Sequence, residues 1–209
     1  MSVKHDRVAV RGGVTHKQVR KAGTAPRETM KKLFDEIPCL RSGRLVLRRM
    51  EDRDADAIRA LTASERVYRY LPTFLFEKRY SEPREMLRRL YGECFSAGES
   101  LILGVCRRED DGLCGLAEFY GYKDAIRKVS VGYRLLESAW GQGIATEALG
   151  LMIDYLYGET DIEIVTASTM IENLASANVL RKNGFSLVVH AVDEDWGYDA
   201  PTVADKWIR

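Results

Sequence analysis

A glycine-containing segment near the middle of the chain has the residue types and spacing of an anion-binding site. An alternating apolar run that begins at Val129 leads to Gly141-Gln142-Gly143, and from Ala145 onward apolar residues recur at three- and four-residue steps. This pattern predicts a strand, a turn and a helix. The first turn of a helix has unpaired N–H groups and about half a positive charge. The spacing therefore indicates either a pyrophosphate site at residues 142–146, where glycine admits a phosphate to the backbone, or a structural turn.

The sequence around this turn makes the interpretation more specific. The run W-G-Q-G-I-A-T-E-A-L follows V-G-Y-R-L-L, and N-L-A-S-A-N-V-L-R-K-N-G-F follows the next predicted strand. This combination, within residues 44–209, resembles the GNAT superfamily of N-acetyltransferases, in particular the branch of ribosomal-protein N-terminal (alanine/serine) acetyltransferases. The resemblance implies direct attack of a primary amine, on a protein N-terminus or a small molecule, on acetyl-CoA as the co-substrate.

The remaining periodicities predict an α/β fold with helices on both faces of a mixed sheet. The predicted elements are a strand at 45–49, helices at 51–63 and 82–95, a hairpin of 100–107 and 113–122 around Asp111-Gly112, a strand at 162–168, a helix from Asn173 to Lys182 that stops at Gly184, and final strands at 185–190 and 202–208. The resemblance implies a GNAT-like, mostly antiparallel sheet in which residues 130–136 splay from the strand that begins at Ile162.

The resemblance also assigns residues to acetyl-CoA. Main-chain N–H groups at the start of the central helix would hold the pyrophosphate, the pantetheine arm would lie along the strand that ends near Leu135, and two asparagines would contact or shape its surroundings. Trp140 stands where the family usually has Arg or Gln, whereas Gly143 and Ala145 match the family pattern. The predicted cofactor-binding residues are Leu135, Gln142, Gly143, Ile144, Ala145, Thr146, Asn173 and Asn178.

Candidate catalytic residues depart from the family pattern. Glu118 and Tyr133, on the two strands before the central helix, are candidates for the general base. Ser130 occupies a position where related sequences often carry Glu, and Leu180 replaces the tyrosine that many members use as a general acid. Ser176 or water is then the predicted proton donor. These departures leave open an alternative, a catalytically weak acyl-CoA-binding module that engages RNA or protein through a basic arm.

Two further segments bear on the acceptor. In the family, the segment between the first two strands lines the acceptor pocket, so Tyr70, Leu71 and Phe74 are candidates for its wall. Residues 193–199, D-E-D-W-G-Y-D, join the last two strands, and their four acids and two aromatics suit a cationic amine. An acidic surface loop is the other interpretation of residues 193–199.

Composition predicts one domain, at residues 41–209, preceded by a basic arm at residues 1–40. The chain has 209 residues, of which 45% are hydrophobic, and no apolar run of the length that spans a membrane. Residues 1–32 carry nine Lys or Arg and two acids, a balance of +7, so nucleic acid is expected only at this arm if at all. The scattered histidines predict no metal site, and isolated cysteines, read as small buried hydrophobes, favour a cytoplasmic location. A homodimer is common in the family and is not specified by these residues.

Overall fold

The protein, described here for residues 30–209 by a computed structural model, is built on one eight-stranded mixed sheet. The strands are β1 (Leu40–Arg41), β2 (Leu45–Arg48), β3 (Ser100–Arg107), β4 (Leu113–Lys123), β5 (Lys128–Leu135), β6 (Ile164–Met170), β7 (Ser186–Glu194) and β8 (Thr202–Ile208). Their spatial order is β1-β2-β3-β4-β5-β6-β8-β7. All neighbouring pairs are antiparallel except β5 and β6, which are parallel. The predicted mixed, mostly antiparallel GNAT-like sheet is confirmed.

Within residues 30–209, five α-helices cover the two faces of this sheet. They are α1 (Ala55–Ala63), α2 (Glu65–Tyr68), α3 (Pro83–Arg89), α4 (Ile144–Glu159) and α5 (Leu174–Lys182). The predicted helix at 82–95 is observed as α3 followed by a π-helical turn at Leu90–Cys94. Asn173 caps α5, because its Oδ1 accepts a hydrogen bond from the Ser176 N–H at 3.1 Å. Gly184 follows the end of α5 with a φ of 77°, so both predicted ends of this helix are confirmed.

The central parallel strand pair separates after a short contact, as predicted. β5 and β6 share only three residue pairs, the last joining Ser130 to Thr166. Beyond this point β5 continues to Leu135 beside β4, whereas β6 continues to Met170 beside β8. A cleft therefore opens between two strands that remain in the same sheet.

Each face of the sheet has its own apolar core. The larger core lies under α4 and α5 and includes Phe119, Val131 and Trp207. The smaller core lies under α1 and α3 and includes Ile102 and Leu116. Alternation along β4 explains this division, since Leu116 and Phe119 point to opposite faces.

Part of the segment assigned to the basic arm packs on the domain. Lys31 forms a parallel bridge with Thr160, and the Leu33 side chain is fully buried in the larger core. Residues 1–29, with most of the predicted arm, lie outside the described residues. The expectation of an arm for that stretch stays a prediction.

The cysteines differ in burial. Cys106 and Cys114 are buried, but Cys39 is exposed, so the interpretation of the cysteines as small buried hydrophobes is wrong for Cys39.

Within residues 30–209, every helix is too short or too polar to cross a lipid bilayer.

We expect Gly115→Ala to destabilise the fold by about 1–3 kcal/mol, because an added methyl group would overpack the contact between β4 and β5. A Cβ at position 115 would lie 2.3 Å from Leu135 Cδ2 and 2.5 Å from the Arg134 carbonyl oxygen. Urea unfolding measures the change. Gly158→Ala in α4 is the matched control, since a Cβ there meets no atom within 4 Å and alanine favours helix. Equal stability of the two variants would contradict the prediction.

Candidate active site

The turn between β5 and α4 has the backbone conformation that its glycines predict. Gly141 and Gly143 have φ values of 71° and 75°, in the left-handed region that glycine adopts without a steric penalty. A Cβ on Gly141 would meet no atom within 4 Å, so conformation and not space requires glycine there. α4 then begins at Ile144, and its first hydrogen bond runs from the Glu147 N–H to the Gly143 carbonyl oxygen at 3.1 Å. The earlier N–H groups of this turn have no intrahelical partner.

This turn forms one end of a cleft of about 1030 Å³ that passes between the diverging strands. One wall is β5 with the start of α4, and the opposite wall is β6 from Ala167 to Thr169 with the start of α5. The cleft is lined by seven of the eight residues predicted to bind the cofactor: Leu135, Gly143, Ile144, Ala145, Thr146, Asn173 and Asn178. Gly141 also lines it and was not among the predicted residues. A long, narrow ligand with an anionic group fits this shape and these free N–H groups.

Gln142 is the predicted residue that does not line the cleft. Its side chain accepts a hydrogen bond from Arg107 Nη2 at 3.1 Å and donates one to the Ser138 carbonyl oxygen at 2.6 Å. These bonds direct the amide side chain away from the cleft, which leaves the backbone as the part of Gln142 that could serve a ligand. The neighbouring Trp140 ring is likewise fixed, because its Nε1 donates to the Leu135 carbonyl oxygen at 2.9 Å.

Two of the three predicted catalytic residues are hydrogen-bonded to each other. The hydroxyl groups of Tyr133 on β5 and Ser176 on α5 lie 2.9 Å apart, across the cleft that both line. Burial raises the pKa of Tyr133 to about 12. A phenol with this pKa stays protonated near neutral pH, so it suits proton donation better than the role of general base that the sequence suggested.

The third predicted catalytic residue, Glu118, belongs to a buried polar network. Its two carboxylate oxygens accept hydrogen bonds from Arg134 Nη1 at 2.6 Å and from Ser100 Oγ at 2.9 Å. Arg134 also pairs with Glu77, and Glu77 accepts a hydrogen bond from the Tyr68 hydroxyl at 2.7 Å. Glu118 does line the cleft. These two hydrogen bonds occupy about two of the four acceptor positions of the carboxylate and hold Glu118 within the network.

Sequence reasoning did not identify Arg134 or Glu77 as part of the site. Arg134 carried a signal, because it is a charged residue within an apolar strand and lies two residues from the position that pairs with Glu118. Glu77 carried none, since it reaches Arg134 from a 3₁₀ turn 57 residues away in sequence.

Two of the four acids in the segment at residues 193–199 already have polar partners. Glu194 pairs with Lys206, and Asp195 Oδ1 accepts a hydrogen bond from the Gly197 N–H at 2.8 Å. The cleft-lining charged residues include both signs: Glu99, Glu118, Glu194, Asp195, Arg66, Arg79, Arg134, Lys182 and Lys206. The two acids are therefore less available to a cationic amine than their sequence suggests.

Two hydrogen bonds join the loop at residues 71–73 to this acidic segment. The Thr73 N–H donates to the Trp196 carbonyl oxygen at 2.9 Å, and the Tyr198 hydroxyl donates to the Leu71 carbonyl oxygen at 2.7 Å. Tyr70, Leu71 and Phe74 line the cleft, in line with their predicted position, although the Phe74 side chain remains half exposed. These bonds hold two cleft-lining segments together.

We expect Arg134→Met to destabilise the protein by about 3–5 kcal/mol, because it leaves two buried carboxylates without their cation. The triple variant Glu77→Gln, Arg134→Met, Glu118→Gln should recover much of this loss, since it removes all three charges. Chemical denaturation of both variants measures the difference. Arg59→Met is the control, because Arg59 pairs only with exposed acids and should contribute less than about 1 kcal/mol. A failure of the triple variant to recover stability would show that charge is not the cause.

Comparisons with known proteins agree with this architecture. Residues 44–186, more than half of the chain, match the family model of the acetyltransferase (GNAT) domain. YoaA of Bacillus subtilis (strain 168), an uncharacterized N-acetyltransferase, is 26% identical over 149 residues, which cover 71% of this chain and 83% of YoaA.

Two solved structures share the fold. RimL, a ribosomal L7/L12 α-N-protein acetyltransferase in complex with coenzyme A, has a TM-score of 0.68 at 18% identity, covering 82% of this chain and 97% of RimL. The spermidine N-acetyltransferase of Vibrio cholerae, in complex with CoA and spermine, has a TM-score of 0.66 at 19% identity, covering 80% of this chain and 96% of that enzyme.

The family match begins at the residue before β2 and ends at the first residue of β7. It therefore includes both diverging strands and the helices whose first turns border the cleft. The glycine turn is thus part of a domain whose relatives are named N-acetyltransferases. The chain belongs to the GNAT family of acetyltransferases and is an acyltransferase of the N-acetyltransferase class.

Proposed function

We propose that this protein transfers the acetyl group of acetyl-CoA to the α-amine of a protein N-terminus or of a small molecule by direct attack. The observation that carries the proposal is the continuous cleft, which joins the glycine turn to the Tyr133–Ser176 pair and to the wall that contains Glu118. The bound structural neighbours support the choice of co-substrate, since both were solved with coenzyme A.

The residues of the cleft fit acetyl-CoA in two places. Free N–H groups at the start of α4 would hold the pyrophosphate, helped by the positive end of the helix dipole. Beyond Ser130 the facing edge of β5 is not paired with β6, so its backbone groups would be available to pantetheine amides, as they are to an added strand. Bound acetyl-CoA supplies an acyl group already activated as a thioester.

The Tyr133–Ser176 pair supplies a proton to the leaving group in this proposal. The amine nitrogen bonds to the carbonyl carbon, the carbon–sulfur bond breaks, and the sulfur takes the proton of the Ser176 hydroxyl. Tyr133 then returns a proton to Ser176 through their 2.9 Å hydrogen bond. The amine releases its proton to solvent water, and water returns a proton to the Tyr133 phenolate. This pair would take the place of the tyrosine that many family members carry at the position of Leu180.

The state of the carboxylates favours an α-amine as acceptor. At pH 7 about a tenth of α-amines with a pKa near 8 are neutral, but only about one lysine side chain in a thousand. Glu118 is bonded to Arg134 and Ser100, and Glu194 is paired with Lys206. An acceptor that is already partly neutral has less need of a base than a lysine or a polyamine has.

The first test measures the binding of acetyl-CoA by calorimetry. We expect micromolar affinity in the intact protein and at least a tenfold loss in Gly143→Val, because a branched side chain at a φ of 75° would distort the turn. Circular dichroism checks that the variant is folded. If the folded intact protein does not bind acetyl-CoA, the proposed function is wrong.

A second prediction concerns the hydroxyl pair. Ser176→Ala and Tyr133→Phe should each lower kcat on a peptide N-terminus by about 10²-fold or more while the Kd for acetyl-CoA changes less than threefold, since proton donation acts in the chemical step. Tyr155→Phe is the matched control, because its hydroxyl is buried in α4 away from the cleft-lining residues. Full activity of both hydroxyl variants would remove this pair from the mechanism.

The pH dependence of kcat/KM provides a third prediction. For an α-amine acceptor it should rise about tenfold per pH unit and level off near pH 8, as the amine loses its proton. An acid stays active below its own pKa, and burial holds the pKa of Tyr133 at about 12. No fall in rate is therefore expected up to about pH 10. A fall near pH 9 that persists in Tyr133→Phe would show that another group supplies the proton and would contradict the assignment.

A further inference from the structure

We infer that Arg44 is a positioning residue for the glycine turn at residues 141–143. It binds the side of the turn away from the cleft and so orients the Gly143 N–H toward the cleft. The inference rests on the proposed function, because it assigns this N–H to the pyrophosphate of acetyl-CoA. Arg44 lies in the turn between β1 and β2, 98 residues before its partner in the sequence. No local sequence pattern connects Arg44 with the glycine turn.

The direction of one peptide unit carries the inference. Arg44 Nη1 donates to the Gln142 carbonyl oxygen at 3.1 Å. In a trans peptide, the carbonyl oxygen and the following N–H point in opposite directions. The Gly143 N–H therefore points away from the guanidinium. The described residues that line the cleft include Gly141 and Gly143 but not Arg44 or Gln142. Arg44 therefore lies on the side of the turn away from the cleft.

A salt bridge holds the guanidinium in this position. Arg44 Nε donates to Glu147 Oε2 at 2.7 Å, and the other oxygen of Glu147 accepts a hydrogen bond from the Ser42 hydroxyl at 2.5 Å. Glu147 lies in the first turn of α4, so the bridge ties the β1–β2 turn to the same helix start that would hold the anion. One planar guanidinium thus fixes a side chain and a main-chain carbonyl together.

The same bridge offsets an unfavourable charge. A carboxylate in the first turn of a helix interacts well with the helix dipole, but it would repel a pyrophosphate bound a few ångströms away. Arg44 neutralises Glu147 without lining the cleft itself. It therefore orients the turn and reduces this repulsion at once.

Arg107 provides a matched comparison. It also donates to Gln142, but to the side-chain Oε1 at 3.1 Å and not to the main chain. Removal of Arg107 therefore deletes one positive charge and one hydrogen bond to the same residue. It leaves the orientation of the peptide unit to Arg44.

Calorimetry with coenzyme A tests the inference in the full chain. We expect Arg44→Met to weaken binding at least tenfold, and Arg107→Met at most threefold. Arg44→Lys keeps the charge but cannot donate in two directions from one plane, so it should also lose most of this affinity. The KM for S-acetylpantetheine, which has no phosphate, should change less than twofold in all three. Circular dichroism and thermal unfolding confirm that each variant is folded.

Three outcomes would overturn the inference. One is unchanged coenzyme A affinity in folded Arg44→Met and Arg44→Lys. Another is an equal loss in Arg44→Met and Arg107→Met, which would indicate long-range charge alone. The third is full recovery of coenzyme A affinity when Glu147→Gln is added to Arg44→Met. This result would show that the charge of Glu147 explains the whole effect and that orientation of the turn contributes nothing. If the intact protein does not bind coenzyme A, both the proposed function and the inference about Arg44 are wrong. If the intact protein binds coenzyme A but the Arg44 variants bind it equally well, only the inference about Arg44 is wrong.

Discussion

β5 and β6 diverge within one sheet, and the candidate site lies where they part. Two parallel strands of one sheet normally continue their hydrogen bonding, but here pairing stops after Ser130 and Thr166. β6 continues beside β8, which pairs with the opposite edge of β6. The facing edge of β5 stays open as far as Leu135, where the chain enters the glycine turn. The same divergence therefore creates the cleft, leaves backbone groups for a ligand and places a helix start at its end.

A second constraint concerns Arg134, a charged side chain within the apolar strand β5. Arg134 is buried and is accompanied by Glu77 and Glu118, which come from a distant turn and from the adjacent strand. Buried ion networks of this kind add little net stability to a fold. Loss of one member nevertheless destabilises the fold strongly, because a buried charge is left unpaired. The geometric effect of the network is plainer: it fixes the Glu118 wall and connects it to the Tyr68 hydroxyl before α3. This argues for a role in shaping the acceptor side rather than in proton transfer.

Local sequence signals predicted the elements well and long-range contacts poorly. The hairpin around Asp111-Gly112, the cap at Asn173 and the strand-turn-helix at Gly143 each depend on residues within about ten positions, and each is observed. The resemblance supplied the splay, which no periodicity could show. Glu77 and Arg44 could not be assigned, because their partners are 57 and 98 residues distant. Composition did not reveal how residues 31–33 pack: Lys31 and Lys32 pair with Glu36 and Asp124 at the surface, while the next residue, Leu33, is buried.

The replacement of the family's usual tyrosine by Leu180 has a physical counterpart in this chain. Leu180 is fully buried, so α5 contributes packing at that position. A phenol is nevertheless present, on β5 at Tyr133, and it reaches α5 through the Ser176 hydroxyl one turn earlier. A proton donor needs only to lie beside the departing sulfur and to remain protonated, and neither requirement specifies which element carries it. In the binding mode proposed above, the Tyr133–Ser176 pair lies beside the sulfur, and burial keeps the Tyr133 phenol protonated by raising its pKa. A leucine at position 180 therefore does not by itself remove a proton donor from the proposed site.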